Sequence, residues 1–167
     1  MIDLNKLAAE IHEAAVKKGF WEVDDAEAKH IAKMHSELSE AVQADRVGVM
    51  YEIERDGGKP EGAIAELADF VMMVLDWAAY REDVIPNMPE SSVVEENKLG
   101  LHNLVCNMHE GIVIVDNDWF STAPMHFIFM IRCCEEFAKL QGFDLWDIIR
   151  QKMAYNESRP ELHGRLY

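Results

Sequence analysis

Ile64-Ala-Glu-Leu-Ala-Asp-Phe-Val-Met-Met-Val-Leu-Asp-Trp-Ala-Ala-Tyr80 is the stretch whose reading decides the fold. Between its ends only Glu66, Asp69 and Asp76 are charged. The apolar positions run nearly all the way round a helical wheel, so the stretch reads as a helix buried on most sides. Glu66 and Asp69, three residues apart, lie about 60° apart round the axis and roughly one turn along, which puts both carboxylates on one face. Buried carboxylates are costly unless a cation or hydrogen-bond donors satisfy them. A second acidic pair, Glu37-x-x-Glu40, stands upstream. A metal site shared by the two pairs is the economical explanation of both. Asp76, seven residues after Asp69 and almost on its face, is open to a role supporting the metal ligands or to pairing with a nearby Lys or Arg, and the pairing is the favoured expectation.

Outward from this helix the only strong period is again helical. The spacing predicts helices over about 3–18, 26–54, 61–82, 94–115, 123–140 and 145–156. Gly19 and Gly142 read as helix stops, Asp24 or Asp25 as the cap of the second helix, and Asp144 as the cap of the sixth. Asp56-Gly-Gly-Lys-Pro60 reads as a turn, with Pro60 just ahead of the third helix. Ile112-Val-Ile-Val115 is β-branched but continues a helical run, and no strand is expected. The fold class is therefore all-α, a bundle of about six helices in one domain spanning 1–167. On the second helix Glu37 falls at the edge of the stripe made by Ile31, Met34, Leu38 and Val42, and Glu40 lies further toward the polar side. Glu37 is expected to be the more enclosed.

Composition narrows the function classes. At 167 residues, 49% hydrophobic and 28% charged, the chain has the makings of one globular core. Its formal net charge of −15 disfavours nucleic acid and anionic membranes as partners. The N-terminal residues do not form a signal-peptide pattern, and no apolar run reaches the roughly 20 residues a membrane span needs. Three cysteines, two of them adjacent and none in Cys-x-x-Cys, read as reduced thiols in a cytoplasmic protein.

The acids carry the chemistry. Four oxygen ligands without nitrogen or sulfur suit a hard cation, Mg²⁺ or Mn²⁺. Such a site, with a carboxylate able to take a proton from water, fits hydrolysis of a phosphoanhydride. Glu10-x-x-Glu13 has no partner pair and reads as a solvated face. His102 and His109 share a helix face and read as core or surface residues. The paired Glu-x-x-His motifs that mark a di-iron bundle are absent, as are a Gly-rich phosphate loop and a nucleophile elbow.

Met34-His-Ser-Glu-Leu-Ser-Glu-Ala-Val-Gln-Ala-Asp-Arg46 and Gly62-Ala-Ile-Ala-Glu-Leu-Ala-Asp69 resemble the two acidic helices of the MazG-like all-α nucleoside triphosphate pyrophosphohydrolases. A third stretch, Gly142-Phe-Asp-Leu-Trp-Asp-Ile-Ile-Arg-Gln-Lys-Met-Ala-Tyr-Asn156 followed by Arg159-Pro160, is similar to their last helix. The resemblance covers about 20–80 and 141–165 and leaves about 81–141 as an inserted helical pair on a four-helix core. It implies Mg²⁺-dependent hydrolysis of a nucleoside triphosphate to monophosphate and pyrophosphate. It further implies that Glu37, Glu40, Glu66 and Asp69 bind the metal, and that Lys152, Asn156 and Arg159 meet the phosphates or the sugar. Trp21 stands where related chains carry an aromatic near the base pocket, a core role being equally open, and Lys59 is placed to reach a phosphate from its loop. Ser36 replaces an acid found in many members, which leaves the general base between Glu37 and Glu40. The resemblance also implies a homo-oligomer, dimer or tetramer. Because compact relatives build their bundle from several subunits, the insert is read as occupying surface that a partner chain covers in them, and a dimer or tetramer with the insert exposed and dispensable would count against that reading. The alternative is a non-catalytic helical module that binds nucleotide or regulates.

Overall fold

The computed structural model describes residues 2–54, 58–87, 100–117 and 122–164. Its helices are α1 (Leu4–Lys17), α2 (Ala26–Arg46), α3 (Ala63–Tyr80), α4 (Leu101–Asp116), α5 (Ala123–Leu140) and α6 (Leu145–Glu157). A small antiparallel hairpin, β1 (Glu52–Ile53) and β2 (Pro60–Glu61), joins α2 to α3, and a 3-10 turn at Glu161–Gly164 follows α6. The fold is an all-α bundle, and none of its described helices is long and apolar enough to cross a membrane.

α3 is the central element. Only Asp69, Met72, Met73, Ala79 and Tyr80 on it reach the surface, as its unbroken apolar wheel requires. It packs against α1, α2, α5 and α6, and α4 closes over α2 and α5. Trp77 meets Phe127 of α5 edge to face, with centroids 5.7 Å apart, and its indole N–H donates to Glu27 at 2.8 Å. Met108, Ile112, Phe127, Ile131 and Cys134 of the expected insert belong to the same core as Phe70 and Leu75. Each such buried side chain contributes about 1.5–3 kcal/mol, so α4 and α5 are part of the stabilising core. Residues 94–99 of the expected fourth helix lie outside the described residues.

The helix ends follow local chemistry with three exceptions. Asp3 accepts from the Lys6 amide at 3.1 Å, and Asp144 accepts from the Trp146 and Asp147 amides at 2.9 and 3.2 Å. Gly19 and Gly142 take left-handed φ of 81° and 86° just after α1 and α5. Asp25, one of the two expected caps, does occupy the N-cap position of α2, but it sits left-handed at φ 56° and its side chain makes no capping bond. α2 stops at Arg46, short of the expected 54, where Gly48 turns the chain at φ 80°. Pro60 does not open α3 but pairs with Ile53 in the hairpin, and the expectation of no strand fails there.

The start of α3 is built from backbone. With no side-chain cap at Gly62, the amides of Ala63 and Ile64 donate to the carbonyls of Val49 and Met50, each at 3.0 Å. These bonds satisfy orphan donors of the first turn and clamp α3 to the end of α2, which sets how the two acidic pairs face. The clamp requires glycine: Gly62 has φ 104°, and a Cβ there would lie 2.8 Å from the Met50 carbonyl oxygen. Gly62→Ala is expected to cost at least about 2 kcal/mol, read as a lower urea midpoint at unchanged slope.

Candidate metal centre

Glu37 leaves α2 toward α3 and is 4% exposed, while Glu40, one turn on, is exposed, in the order expected from the helical wheel. Glu66, 7% exposed, comes from the first turn of α3. Oxygens of Glu37, Glu40 and Glu66 all lie within 4.8 Å of one another. Asp69, one turn along α3, is close enough for its charge to act on both Glu37 and Glu66. The two pairs therefore converge as the packing of α2 on α3 demands.

Like charges this close need compensation, and three sources supply it. Lys33, one turn before Glu37, makes an ion pair with its Oε1. Lys152 of α6, only 2% exposed, places Nζ 2.5 Å from Asp69 Oδ2 and 4.0 Å from Glu66 Oε2. A proton is the third: burial pushes Glu66 up to about 8 against the opposing pull of Lys152, with Asp69, Glu37 and a hydrogen bond to Glu37 adding to the shift. Glu37 is also raised, by burial first and then by the charge of Asp69. Glu40 Oε1 accepts from the Ser36 hydroxyl at 2.8 Å, so Ser36 orients a member of the cluster. An all-oxygen set of converging carboxylates, only partly offset by two lysines and a proton, is chemically suited to a hard divalent cation.

The remaining site candidates divide between two places. Lys59 pairs with Glu61 on the hairpin and feels the charge of Glu66, so it borders the acids. Asn156, one turn beyond Lys152 on α6, faces Arg159 Nη1 at 3.5 Å, and the Arg159 guanidinium lies over the Tyr155 ring. Lys18 donates to the carbonyls of Glu157 and Arg159, which ties this end of α6 to α1.

Trp21 belongs to a separate cluster at the other end of α3. Its Nε1 donates to both Asp76 oxygens at 3.0 and 3.1 Å, and its ring stacks on Tyr80 (4.0 Å, 12°) and His30 (4.9 Å, 30°). His12 Nδ1 lies 2.6 Å from Asp76 Oδ1, and His30 Nδ1 lies 3.7 Å from Oδ2. The expected Lys or Arg partner of Asp76 is thus replaced by two imidazoles and an indole, because α1 and α2 bring His12 and His30 over this turn of α3. Burial raises Asp76 and lowers His30, each partner opposing the other's shift. His12, His30 and Tyr80 carried no signal in local spacing, since the contacts join residues 64, 46 and 59 positions apart (76 minus 12, 76 minus 30, 80 minus 21).

The residues read as bland divide likewise. Glu10 and Glu13 pair with Lys6 and Lys17 on the exposed face of α1. His109 meets His35 of α2, Nδ1 to Nδ1 at 2.7 Å, a distance that requires one shared proton. Cys133 and Cys134 are buried free thiols, Cys133 pushed up to about 11 by burial, and Cys106 is exposed.

No family model, curated protein or solved structure matches this chain.

Proposed function

We propose that the chain is an Mg²⁺-dependent nucleoside triphosphate pyrophosphohydrolase of the MazG-like kind. The observation that carries this reading is the convergence of Glu37, Glu40 and Glu66 within 4.8 Å, with Asp69 and Lys152 alongside. Glu37, Glu40, Glu66 and Asp69 would hold the metal, with Mn²⁺ as a substitute. When bound, the metal would neutralise the triphosphate and ease deprotonation of water. Glu37 or Glu40 takes the proton from the attacking water. Burial gives Glu37 the raised proton affinity a base needs near neutral pH. Water attacks the α-phosphorus, the bond to the bridging oxygen breaks, and pyrophosphate leaves with that oxygen. Lys152, Lys59, Asn156 and Arg159 are the donors on this reading for the phosphates and sugar, while Trp21, held by Asp76 and stacked on Tyr80 and His30, takes the core role that the sequence also left open.

The acids and Lys152 come from α2, α3 and α6 of one chain. The dimer or tetramer of the resemblance is a further proposal, read by light scattering. A cytoplasmic setting is proposed with it, in keeping with the free cysteines. The second reading, a non-catalytic nucleotide-binding module, is favoured by one observation: Lys33, Lys152 and a proton on Glu66 already offset three of the four carboxylate charges without metal. Pyrophosphate release from a panel of ribo- and deoxyribonucleoside triphosphates, with Mg²⁺ and with EDTA, separates the two. Metal-dependent release supports the enzyme, and its best substrate names the base and sugar. No release from any nucleotide overturns it in favour of the module.

A further inference from the structure

Lys152 is an unusual neighbour for a metal site. Its ammonium stands against two of the proposed ligands, 2.5 Å from Asp69 and 4.0 Å from Glu66, where a divalent cation would bring the same kind of charge. It is 2% exposed and its side chain is among the largest fully buried in the chain. Lys33, by contrast, pairs with Glu37 while 43% of its side chain stays exposed, so it can swing into water at little cost. Lys152 has no such exit. An ammonium buried to this degree needs an anion within reach. A bare cation that takes Asp69 and Glu66 strips Lys152 of its partners and leaves two positive charges facing each other. A cation that arrives with a phosphate chain supplies a new anion for the lysine in the same event.

We propose that Lys152 is an exchangeable counter-ion of the acid cluster, which excludes the free divalent cation and passes from Asp69 to the phosphate chain when cation and polyphosphate enter together. This rests on the proposed metal centre. It goes beyond that reading by making occupancy conditional: the resting protein is metal-poor, and cation and polyphosphate bind with positive, reciprocal coupling. The exchange is a movement of charge partners, with no bond made or broken. Lys152 acts here as a binding residue that serves the acids and the phosphate chain in turn, and the effect is readable in binding without turnover.

The test is calorimetric titration of wild type, Lys152→Met and Lys152→Gln with Mn²⁺ alone and with a premixed Mn²⁺–tripolyphosphate complex. Lys152→Met retains the length of the buried stem and removes the charge; Lys152→Gln adds a neutral polar head should the methionine variant fold poorly. Exchange predicts opposite signs. Free Mn²⁺ binds the variants at least about tenfold more tightly than wild type, and the complex binds them at least about tenfold more weakly. A fixed structural lysine predicts that both ligands weaken together or that neither changes, and either result overturns the exchange while leaving the metal centre standing. Absence of Mn²⁺ binding in all three proteins, alone and as the complex, overturns the metal centre and the exchange with it.

Discussion

Glu66→Gln is expected to lower Mg²⁺-dependent pyrophosphate release by about 10³-fold while making the metal-free protein more stable at alkaline pH. The two effects have one cause. Glu66 is 7% exposed and surrounded by Glu37, Glu40 and Asp69, so its charge is unwelcome without a cation. Glutamine has nearly the shape of the protonated acid, keeps a donor for Glu37, and never ionises. It therefore removes a metal ligand and at the same time removes the penalty of the ionised form. The gain of the variant accrues between 4.5, where Glu66 ionises in the unfolded chain, and the folded-state value of about 8, and is complete above it; below about pH 4 Glu66 is protonated in both states and the two proteins melt alike. Release assays, and paired melts in EDTA below about pH 4 and above about pH 8, check this. A variant that is less stable at both values would mark Glu66 as a structural acid, held for its ion pair with Lys152, and one that retains activity would remove it from the centre.

The centre and the fold were legible in the sequence to different depths. The α3 stretch needed nothing beyond its own composition, because a helix that is apolar all round has to be buried, and a helix buried on all sides organises the bundle. The acidic pairs were legible because a three-residue spacing fixes a shared face. What local periodicity cannot carry is the identity of a partner 50 or more residues away. Asp76 drew His12 and Trp21, and Asp69 drew Lys152 across 83 residues. The link from α2 to α3 was misread for a different reason. Strands of two residues are too short to alternate, and Glu52 and Ile53 are both exposed, so no pattern existed to find. The one local trace was Gly62, whose role depends on a close approach of Met50 that only the folded chain shows. The insert reads from periodicity as a helical pair; its place in the core, with Phe127 against Trp77, depends on tertiary packing.

Metal-free protein is expected to lose stability as the pH rises from 6.5 to 8, and Mg²⁺ is expected to cancel that loss. Glu66 ionises at its ordinary 4.5 in the unfolded chain and at about 8 in the fold. Between those values the folded state holds a proton that the unfolded state has released, so rising pH favours unfolding by about 1.4 kcal/mol per pH unit. Glu37 and Asp76, also raised by burial, act in the same direction above their ordinary 4.5 and 3.8. His30 and His109 act oppositely. Burial lowers both from 6.5, so below that pH the unfolded chain binds protons that the fold refuses. The carboxyl and imidazole contributions therefore offset one another in mild acid, and the carboxyls stand alone above pH 6.5. From there to pH 8, Glu66 by itself amounts to about 2 kcal/mol, or roughly 4–8 °C of melting temperature for a chain of this size. Cation binding must displace the proton held by Glu66, so the Mg²⁺-induced rise in melting temperature should be small at pH 5.5 and largest at pH 8. Thermal melts across this range in EDTA and in millimolar Mg²⁺ give both slopes. A melting temperature in EDTA that is flat or climbing above pH 6.5 would show that Glu66 does not hold its proton, and a Mg²⁺ effect of equal size at every pH would place the cation somewhere other than on these carboxylates.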